Sequence, residues 1–284
     1  MSSEEELARL YDALARYQWL RRSAGGGRPD EGLEMHKRLK GGAPGTPAAG
    51  TADIHGWLFE RTGAGDSLRA LDVGCGFGAT LFDWARRAPT GTFTGLTLSP
   101  YQVRRARQLA DQRGLGDRCT FRCQSYSAPV EGTFDVVLSI ESLFHAGDLA
   151  RTARNLADSL APGGELLLVE DMARGSEVAQ APAGAELLSR WSTAHLYTRD
   201  DYQDALAGAG LVVSAETDLT PQVPTHDASS LERRRRRLTR LRTFLPLPVA
   251  RGVVDAFLGG LALDELYRTE RMRYVALTAR RGAA

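Results

Sequence analysis

A glycine-rich turn near residue 75 constrains the fold of this chain more than any other feature. An apolar stretch, 68–73, carries an acid, Asp72, near its end and runs into Gly-Cys-Gly-Phe-Gly at 74–78. An amphipathic helix is predicted directly afterwards, from Thr80 to Arg87. Glycines let a backbone turn tightly against a ligand, and a helix N-terminus offers free N–H groups. Strand, turn and helix in this order predict the start of a nucleotide-binding βα unit, with a ligand-free tight turn as the alternative.

From residue 68 onward, short apolar strands alternate with amphipathic helices. This pattern predicts an α/β fold of the Rossmann-like, doubly wound kind, with a mostly parallel seven-stranded sheet and helices on both faces. The predicted strands are 68–73, 92–97, 118–123, 134–139, 164–170, 211–217 and 272–279, and the helices between them are 79–87, 100–113, 148–160 and 199–209. Residues 174–198 and 221–268 interrupt the alternation and are expected to form helical insertions that cap the site.

Four regions are expected along the chain. Residues 1–50 hold an N-terminal helix, at 3–22, and a lid segment that includes a loop at 23–32. A Gly/Pro/Ala linker at 41–51 leads to the cofactor-binding core, 51–220. A helical cap insertion, 221–268, and a final core strand, 269–284, complete the chain.

Composition narrows the class of protein. The chain has 284 residues, 43% hydrophobic content and a net charge of +1, so nothing global attracts it to nucleic acid or to a membrane surface. No apolar run is long enough to span a bilayer, and the acidic N-terminus does not resemble a secretory signal. The three cysteines lack the spacing of a metal site or a disulfide framework. We therefore expect a cytoplasmic protein without a metal site; a homodimer is one assembly that the sequence leaves open.

Two segments resemble class I S-adenosylmethionine-dependent methyltransferases. One is the strand, acid and G-x-G-x-G pattern that ends at Gly78; the other is Gly-Leu-Thr-Leu-Ser-Pro-Tyr-Gln at 95–102. The second is similar to the branch with tocopherol and sterol C-methyltransferases and cyclopropane fatty-acid synthases. The resemblance covers roughly residues 55–215 and implies S-adenosyl-L-methionine as cofactor.

Ligands in open parallel sheets bind at the carboxyl ends of the strands, so the residues that follow each strand are the candidates for the site. No acid follows the second strand, where many such folds bind the ribose; Thr97 and Ser99 offer hydroxyls instead. Ser99-Pro100 also forms a good helix N-cap. The residues expected to bind the cofactor are Asp72, Gly74, Cys75, Gly76, Gly78, Thr97, Leu98, Gln102, Gln124, Ser125 and Ile140.

Glu141 and His145 are the catalytic candidates. An acid directly after the apolar strand 134–139 is costly unless it is paired or functional. Sterol methyltransferases carry an acid, small residues and a histidine at this place, which implies that Glu141 steers or deprotonates the acceptor. The alternatives are a carboxylate that only favours a helix N-terminus and a structural histidine.

Aromatic and basic residues in the lid segment, after the strand 134–139 and in the insertions are the substrate-binding candidates. They are His36, Lys37, Arg38, Phe144, Trp191, His195, Tyr197 and Arg236. Aromatic rings can stabilise a cation, although cap packing explains most single rings. The five arginines 233–237 either cover a solvated helix or clamp a phosphorylated substrate.

The sequence thus predicts an S-adenosylmethionine-dependent methyltransferase of a small specialised metabolite. Carbon methylation of an alkene in a prenyl or prenyl-diphosphate acceptor is favoured, with Glu141 as base. Oxygen or nitrogen methylation of a small natural product is the first alternative. A cofactor-binding cyclase or scaffold that transfers no methyl group is the second.

Overall fold

The computed structural model of the protein describes residues 3–24, 33–41, 45–47 and 53–282. A seven-stranded sheet with the order β3-β2-β1-β4-β5-β7-β6 forms its centre. Its strands are β1 Arg69–Val73, β2 Thr92–Thr97, β3 Cys119–Cys123, β4 Phe134–Ile140, β5 Leu160–Ala173, β6 Leu211–Asp218 and β7 Met272–Arg281. Only β7 among these runs antiparallel to its neighbours. The predicted Rossmann-like fold is confirmed.

The helices are α1 Ser3–Ala24, α2 Asp53–Thr62, α3 Ala79–Arg87, α4 Pro100–Gln112, α5 Leu149–Asp158, α6 Pro182–Arg190, α7 Arg199–Gly208, α8 Ala228–Phe244 and α9 Pro248–Arg268. Two buried hydrophobic clusters lie in the protein. The first includes side chains of α2, α3 and α4, and the second includes those of α5 and α7. This arrangement matches the helices predicted between the strands. Within the described ranges, no helix is both long and apolar enough to cross a bilayer.

The strand predicted at 164–170 is longer than expected. It begins at Leu160, which pairs with Phe134, and the register then shifts so that Glu165 pairs with Val136. The exposed residues Pro162 and Gly163 form the irregularity between these pairs. A bulge accommodates the proline that a regular central strand would reject.

The helices of the insertions pack on one another. α9 contacts α1, α6 and α8. Arg235 of α8 joins Glu186 of α6 at 3.2 Å and Glu265 of α9 at 3.0 Å. The indole N–H of Trp191 donates to the carbonyl of Ala256 at 2.9 Å. The domain boundaries stay predictions, and most of the loop 23–32 and of the linker 41–51 lies outside the described residues.

Gly78 shows how closely the helix after the turn approaches the sheet. Its φ is +84°, and a Cβ there would lie 2.6 Å from the ring of Phe121. We expect Gly78→Ala to lower the free energy of unfolding by roughly 2–4 kcal/mol, since backbone strain and overpacking add together. Urea unfolding measures the change.

Gly114→Ala is the matched control for that substitution. Gly114 has φ +65° but no heavy atom within 4 Å of its added Cβ. Gly114→Ala should lower the free energy of unfolding only through backbone strain, by about 1 kcal/mol. Equal losses in the two variants would contradict the close approach at Phe121.

Candidate active site

A cavity of about 730 Å³ lies at the carboxyl ends of β1, β2 and β4. This volume is within the range of small-molecule sites. The glycine turn, residues 74–76, lines one part, and α1 and α9 contribute to the wall. Its apolar lining includes Leu7, Leu10, Leu14, Leu33, Met35, Phe144, Trp191 and Phe257. The cavity is therefore mostly hydrophobic, with a few polar groups at defined places.

Asp72 is a buried carboxylate in the cavity wall. It is 3% exposed, and among the described residues no donor forms a hydrogen bond with its carboxylate. Burial raises its pKa to about 7. Such a group calls for a hydrogen-bond donor from a ligand.

The glycine turn interlocks with the loop after β4. Gly74 has φ +87°, and a Cβ there would lie 2.1 Å from the Ser142 hydroxyl oxygen. Gly76, at φ +55°, would meet only the side chain of Met35, at 3.7 Å. Gly74 is thus required by a close approach as well as by its backbone conformation.

Polar contacts after β2 connect α1 to the start of α4. Ser99 is the N-cap of α4 and accepts from the backbone N–H of Gln102 at 3.2 Å. Its hydroxyl donates to the Asp12 carboxylate at 2.8 Å, and the backbone N–H of Tyr101 donates to the same oxygen at 3.0 Å. The Thr97 hydroxyl donates to the side-chain carbonyl of Gln102 at 2.5 Å. These contacts fix one end of the cavity.

The Glu170 carboxylate anchors the loop after β4. It is fully buried and accepts from the Ser139 hydroxyl at 2.6 Å. Three successive backbone N–H groups, those of Ser142, Leu143 and Phe144, donate to it at 3.0–3.2 Å. Since a carboxylate only accepts hydrogen bonds, this convergence of donors fixes the path of the loop.

Glu141 and Asp171 share the ammonium group of Lys37. Lys37 Nζ lies 2.6 Å from Asp171 and 3.2 Å from Glu141, and the Lys37 backbone N–H donates to Glu141 at 2.8 Å. The Tyr274 hydroxyl also donates to Glu141, at 2.8 Å, and the Tyr267 hydroxyl donates to Asp171. Burial would raise the pKa of Glu141, but Lys37 outweighs it and lowers that pKa. Glu141 is thus an ionised carboxylate whose oxygens are already occupied.

His145 is the second titratable group in the cavity wall. Its Nε2 lies 2.7 Å from the Tyr11 hydroxyl oxygen, while Nδ1 is buried and has no hydrogen-bond partner in the described parts of the chain. Burial lowers the His145 pKa to about 4, so the imidazole is neutral near pH 7. The rings of Tyr11, Phe144 and Trp191 surround it, with centroids 5.4–6.0 Å away.

Comparisons with known proteins agree with this geometry. Residues 71–166 match a family model described as a methyltransferase domain. Methyltransferase GfsG of Streptomyces halstedii is 33% identical over 175 residues, which are 60% of this chain and 63% of that protein. The 2-methyl-6-phytyl-1,4-hydroquinone methyltransferase of Synechocystis sp. is 31% identical over 55% of this chain and 50% of its own. A geranyl diphosphate methyltransferase structure has a TM-score of 0.73 and 21% identity, over 99% of both chains, which supports the fold.

Residues 71–166 are thus a methyltransferase domain, and the chain is similar to class I S-adenosylmethionine-dependent methyltransferases. Its alignments span about half to two thirds of the length of these two curated relatives. S-adenosylmethionine is the cofactor of the family. The predictions of the family and of the cofactor are confirmed.

The residues present fit this cofactor. The unpaired Asp72 carboxylate suits the ammonium group of the methionine part, and the glycine turn leaves room for a ligand against its backbone. Thr97 and Gln102, beside the carboxyl end of β2, would hold the polar groups of the nucleoside. These individual assignments stay predictions.

Most of the predicted site residues meet at the cavity. Those that line it are Asp72, Gly74, Cys75, Gly76, Thr97, Leu98, Gln102, Gln124, Ile140, Glu141, His145, His36, Phe144 and Trp191. Lys37 does not line it but contacts Glu141 and Asp171, which do. The amide of Gln124 donates to the Pro129 carbonyl at 3.0 Å.

Besides Lys37, six predicted residues are not among those that line the cavity. Gly78 packs against Phe121, and the Ser125 hydroxyl donates to Glu4 at 2.7 Å. Tyr197 packs against the second hydrophobic cluster, with the exposed His195 against its ring. Arg38 is exposed, and the 71% exposed side chain of Arg236 pairs with Glu232 one helical turn away.

Sequence reasoning missed the partners that come from distant segments. Tyr11 lies within the predicted helix 3–22, but nothing in the pattern places it beside His145, 134 positions away. Glu170, Asp171 and Tyr274 fall in or beside predicted strands, and the sequence pattern assigns them no role in the site. Among the described residues, no group of three or more His, Cys, Asp or Glu side chains could hold a metal ion.

The lowered pKa of His145 predicts a stability change with pH. Between about pH 6.5 and 4 the unfolded chain binds a proton on this histidine that the folded protein does not, so the free energy of unfolding falls on acidification. In His145→Asn, the fall between about pH 6.5 and 4.5 should be smaller by up to about 2 kcal/mol. Urea unfolding at the two pH values measures it. An equal effect of substituting the exposed His195 by Asn would contradict the assignment.

Removing the Glu170 acceptor should loosen the loop after β4. Glu170→Gln replaces one accepting oxygen by an NH₂ donor and leaves at least one buried backbone N–H unpaired. We expect the free energy of unfolding to fall by about 1–3 kcal/mol, measured by urea unfolding.

Glu165→Gln is the matched control on the same strand. Glu165 pairs with the half-exposed Arg280 and anchors no loop. Glu165→Gln should therefore lower the free energy of unfolding less than Glu170→Gln does. A smaller effect at Glu170 than at Glu165 would contradict the anchoring role.

Proposed function

We propose that the protein transfers the methyl group of S-adenosylmethionine to a hydroxyl oxygen of a small, largely apolar metabolite, with His145 as the proton acceptor. The observation that carries this proposal is the position of His145. It is a neutral imidazole in the wall of the cavity that also contains the glycine turn. A single cavity therefore brings together the expected donor site and a base.

The lining of the cavity supports an apolar acceptor. Leu7, Leu10 and Leu14 of α1 and Phe257 of α9 lie along its wall. Buried apolar surface of this kind contributes about 25 cal/mol per Å² removed from water. An acceptor with a large hydrocarbon part would gain most of its binding free energy here.

The cofactor supplies a methyl group that its sulfonium has already activated. The protein's own task is to align the acceptor oxygen and to exclude water. In the His145 tautomer that carries its proton on Nδ1, Nε2 accepts the hydrogen bond of the Tyr11 hydroxyl, which lines the cavity. As the methyl group would leave sulfur for the acceptor oxygen, the acceptor's proton would pass to the Tyr11 oxygen while the Tyr11 proton moves to Nε2.

Glu141 is less suited to this task. Lys37 lowers its pKa, and Lys37 and Tyr274 occupy its oxygens. We assign it a positioning role instead, holding the 33–41 segment against the carboxyl end of β4. The sequence-based preference for Glu141 as base is thereby replaced.

Alkene methylation remains a second candidate because of the rings around His145. Their faces could stabilise the carbocation that follows attack by a double bond. The cavity offers fewer basic groups that would bind the diphosphate of such an acceptor. Arg236 does not line the cavity and pairs with Glu232, and the arginines that line it, Arg21 and Arg22, both belong to α1.

Kinetics of two variants separate the candidates. With His145 as base, His145→Ala should lower kcat by about 10²–10⁴-fold, whereas Glu141→Gln should lose less than about tenfold. Turnover is followed by mass spectrometry with methyl-deuterated S-adenosylmethionine and three acceptors: a prenylated hydroquinone, a hydroxylated polyketide lactone and geranyl diphosphate.

Calorimetry with S-adenosylhomocysteine provides the control, because both variants should retain cofactor affinity. Loss of turnover in Glu141→Gln alone would favour alkene methylation. Cofactor binding without any labelled product, from these acceptors or from an extract, would favour the cyclase or scaffold.

A further inference from the structure

The two long sides of α8 differ in what they contact. With 3.6 residues per turn, Leu231, Arg235, Leu238 and Arg242 fall on one side. Leu231 is buried, Arg235 pairs with Glu186 and Glu265, and Arg242 pairs with Asp255 at 2.6 Å. This side is therefore neutralised by α6 and α9.

The opposite side, which we call the arginine face, consists of Arg233, Arg234, Arg237, Arg240, Leu241 and Phe244. These six residues fall within about 120° of the helix circumference. All six are exposed. In the part of the chain that the structure describes, Arg234, Arg237 and Arg240 form no ion pair. These three arginines thus carry positive charge that no described acidic side chain neutralises.

Exposed apolar side chains continue from this face into the turn between α8 and α9. Phe244 is 82% exposed, Leu247 65% and Val249 62%; we call these three residues the apolar tip. Large apolar side chains exposed together at one turn are unusual on a surface that contacts only water. Pro246 and Pro248 lie in the same turn and lack N–H groups, so burying it leaves fewer donors unpaired.

We propose that the arginine face and the apolar tip bind the surface of an anionic lipid membrane. Arginines would contact lipid phosphates while Phe244, Leu247 and Val249 enter the boundary with the acyl chains. An acidic protein would match the arginines, but a protein surface gives no reason for three projecting apolar side chains beside two prolines. The net charge of +1 does not oppose this, because the attraction is local.

If the acceptor is as apolar as proposed above, the position of the apolar tip relative to the cavity connects membrane binding with access to the site. Val249, Val253, Ala256 and Gly260 fall on one stripe of α9. Ala256 and Gly260 line the cavity, as does Phe257, whose ring contacts that of Tyr17 at 5.6 Å. The apolar tip thus stands at one end of the helix that forms part of the cavity wall, so membrane contact would bring an acceptor dissolved in the bilayer close to the site.

Vesicle flotation tests the proposal without donor or acceptor, so its failure is distinct from a failure of methyl transfer. The protein should bind vesicles of equal parts phosphatidylglycerol and phosphatidylcholine, bind phosphatidylcholine alone weakly, and lose binding as salt rises. Arg237→Gln/Arg240→Gln should weaken binding roughly 20-fold. Phe244→Ser should weaken it roughly tenfold with every arginine intact.

The matched control is Arg151→Gln/Arg154→Gln, which removes the same charge from exposed positions on α5. It should retain most of the vesicle binding. Absence of binding to the anionic vesicles, or equal losses in the control and the arginine-face variant, would overturn the proposal. So would tighter binding to a soluble acyl carrier protein than to the vesicles, since the face would then serve an acidic protein.

Discussion

The burial of the Glu170 carboxylate beneath the loop after β4 is the interaction on which the site depends. Its three backbone donors fix Ser142, Leu143 and Phe144. Ser142 in turn packs directly against Gly74, so the same anchor sets the shape of the glycine turn. The Tyr126 hydroxyl donates to the Ser142 carbonyl at 2.9 Å and holds the loop from its other side. Glu170, on β5 beside β4, thus fixes both the glycine turn and the position of His145.

The central sheet could be predicted because its signals are local. Each apolar strand and each amphipathic helix between 69 and 218 is visible as a short periodic pattern. The glycine turn could also be predicted, since Gly74 and Gly76 adopt positive φ angles that favour glycine. Gly78 was predicted to bind the cofactor. In the structure, the ring of Phe121 on β3 occupies the space that a side chain at Gly78 would need.

The polar network of the site could not be predicted, because its members are far apart in sequence. Lys37 meets residues more than a hundred positions away, and the pattern around it shows only a short basic segment. Buried charge of this kind is stable only when its partners are in place, and a sequence does not state which partners those are. The arginine run is a related case. Helical periodicity sorts its members onto two sides, but only the packing of α6 and α9 decides which side is neutralised.

The helix α1 has a consequence for the order of events at the site. Tyr11 lies on α1 and His145 on the core, and Asp12 and Glu4 fasten the same helix to Ser99 and Ser125. The hydrogen-bonded pair Tyr11–His145 therefore joins α1 to the loop after β4. Because α1 also forms part of the cavity wall, any displacement of α1 that widened the cavity would separate the two side chains. The pair is thus complete only when α1 covers the site.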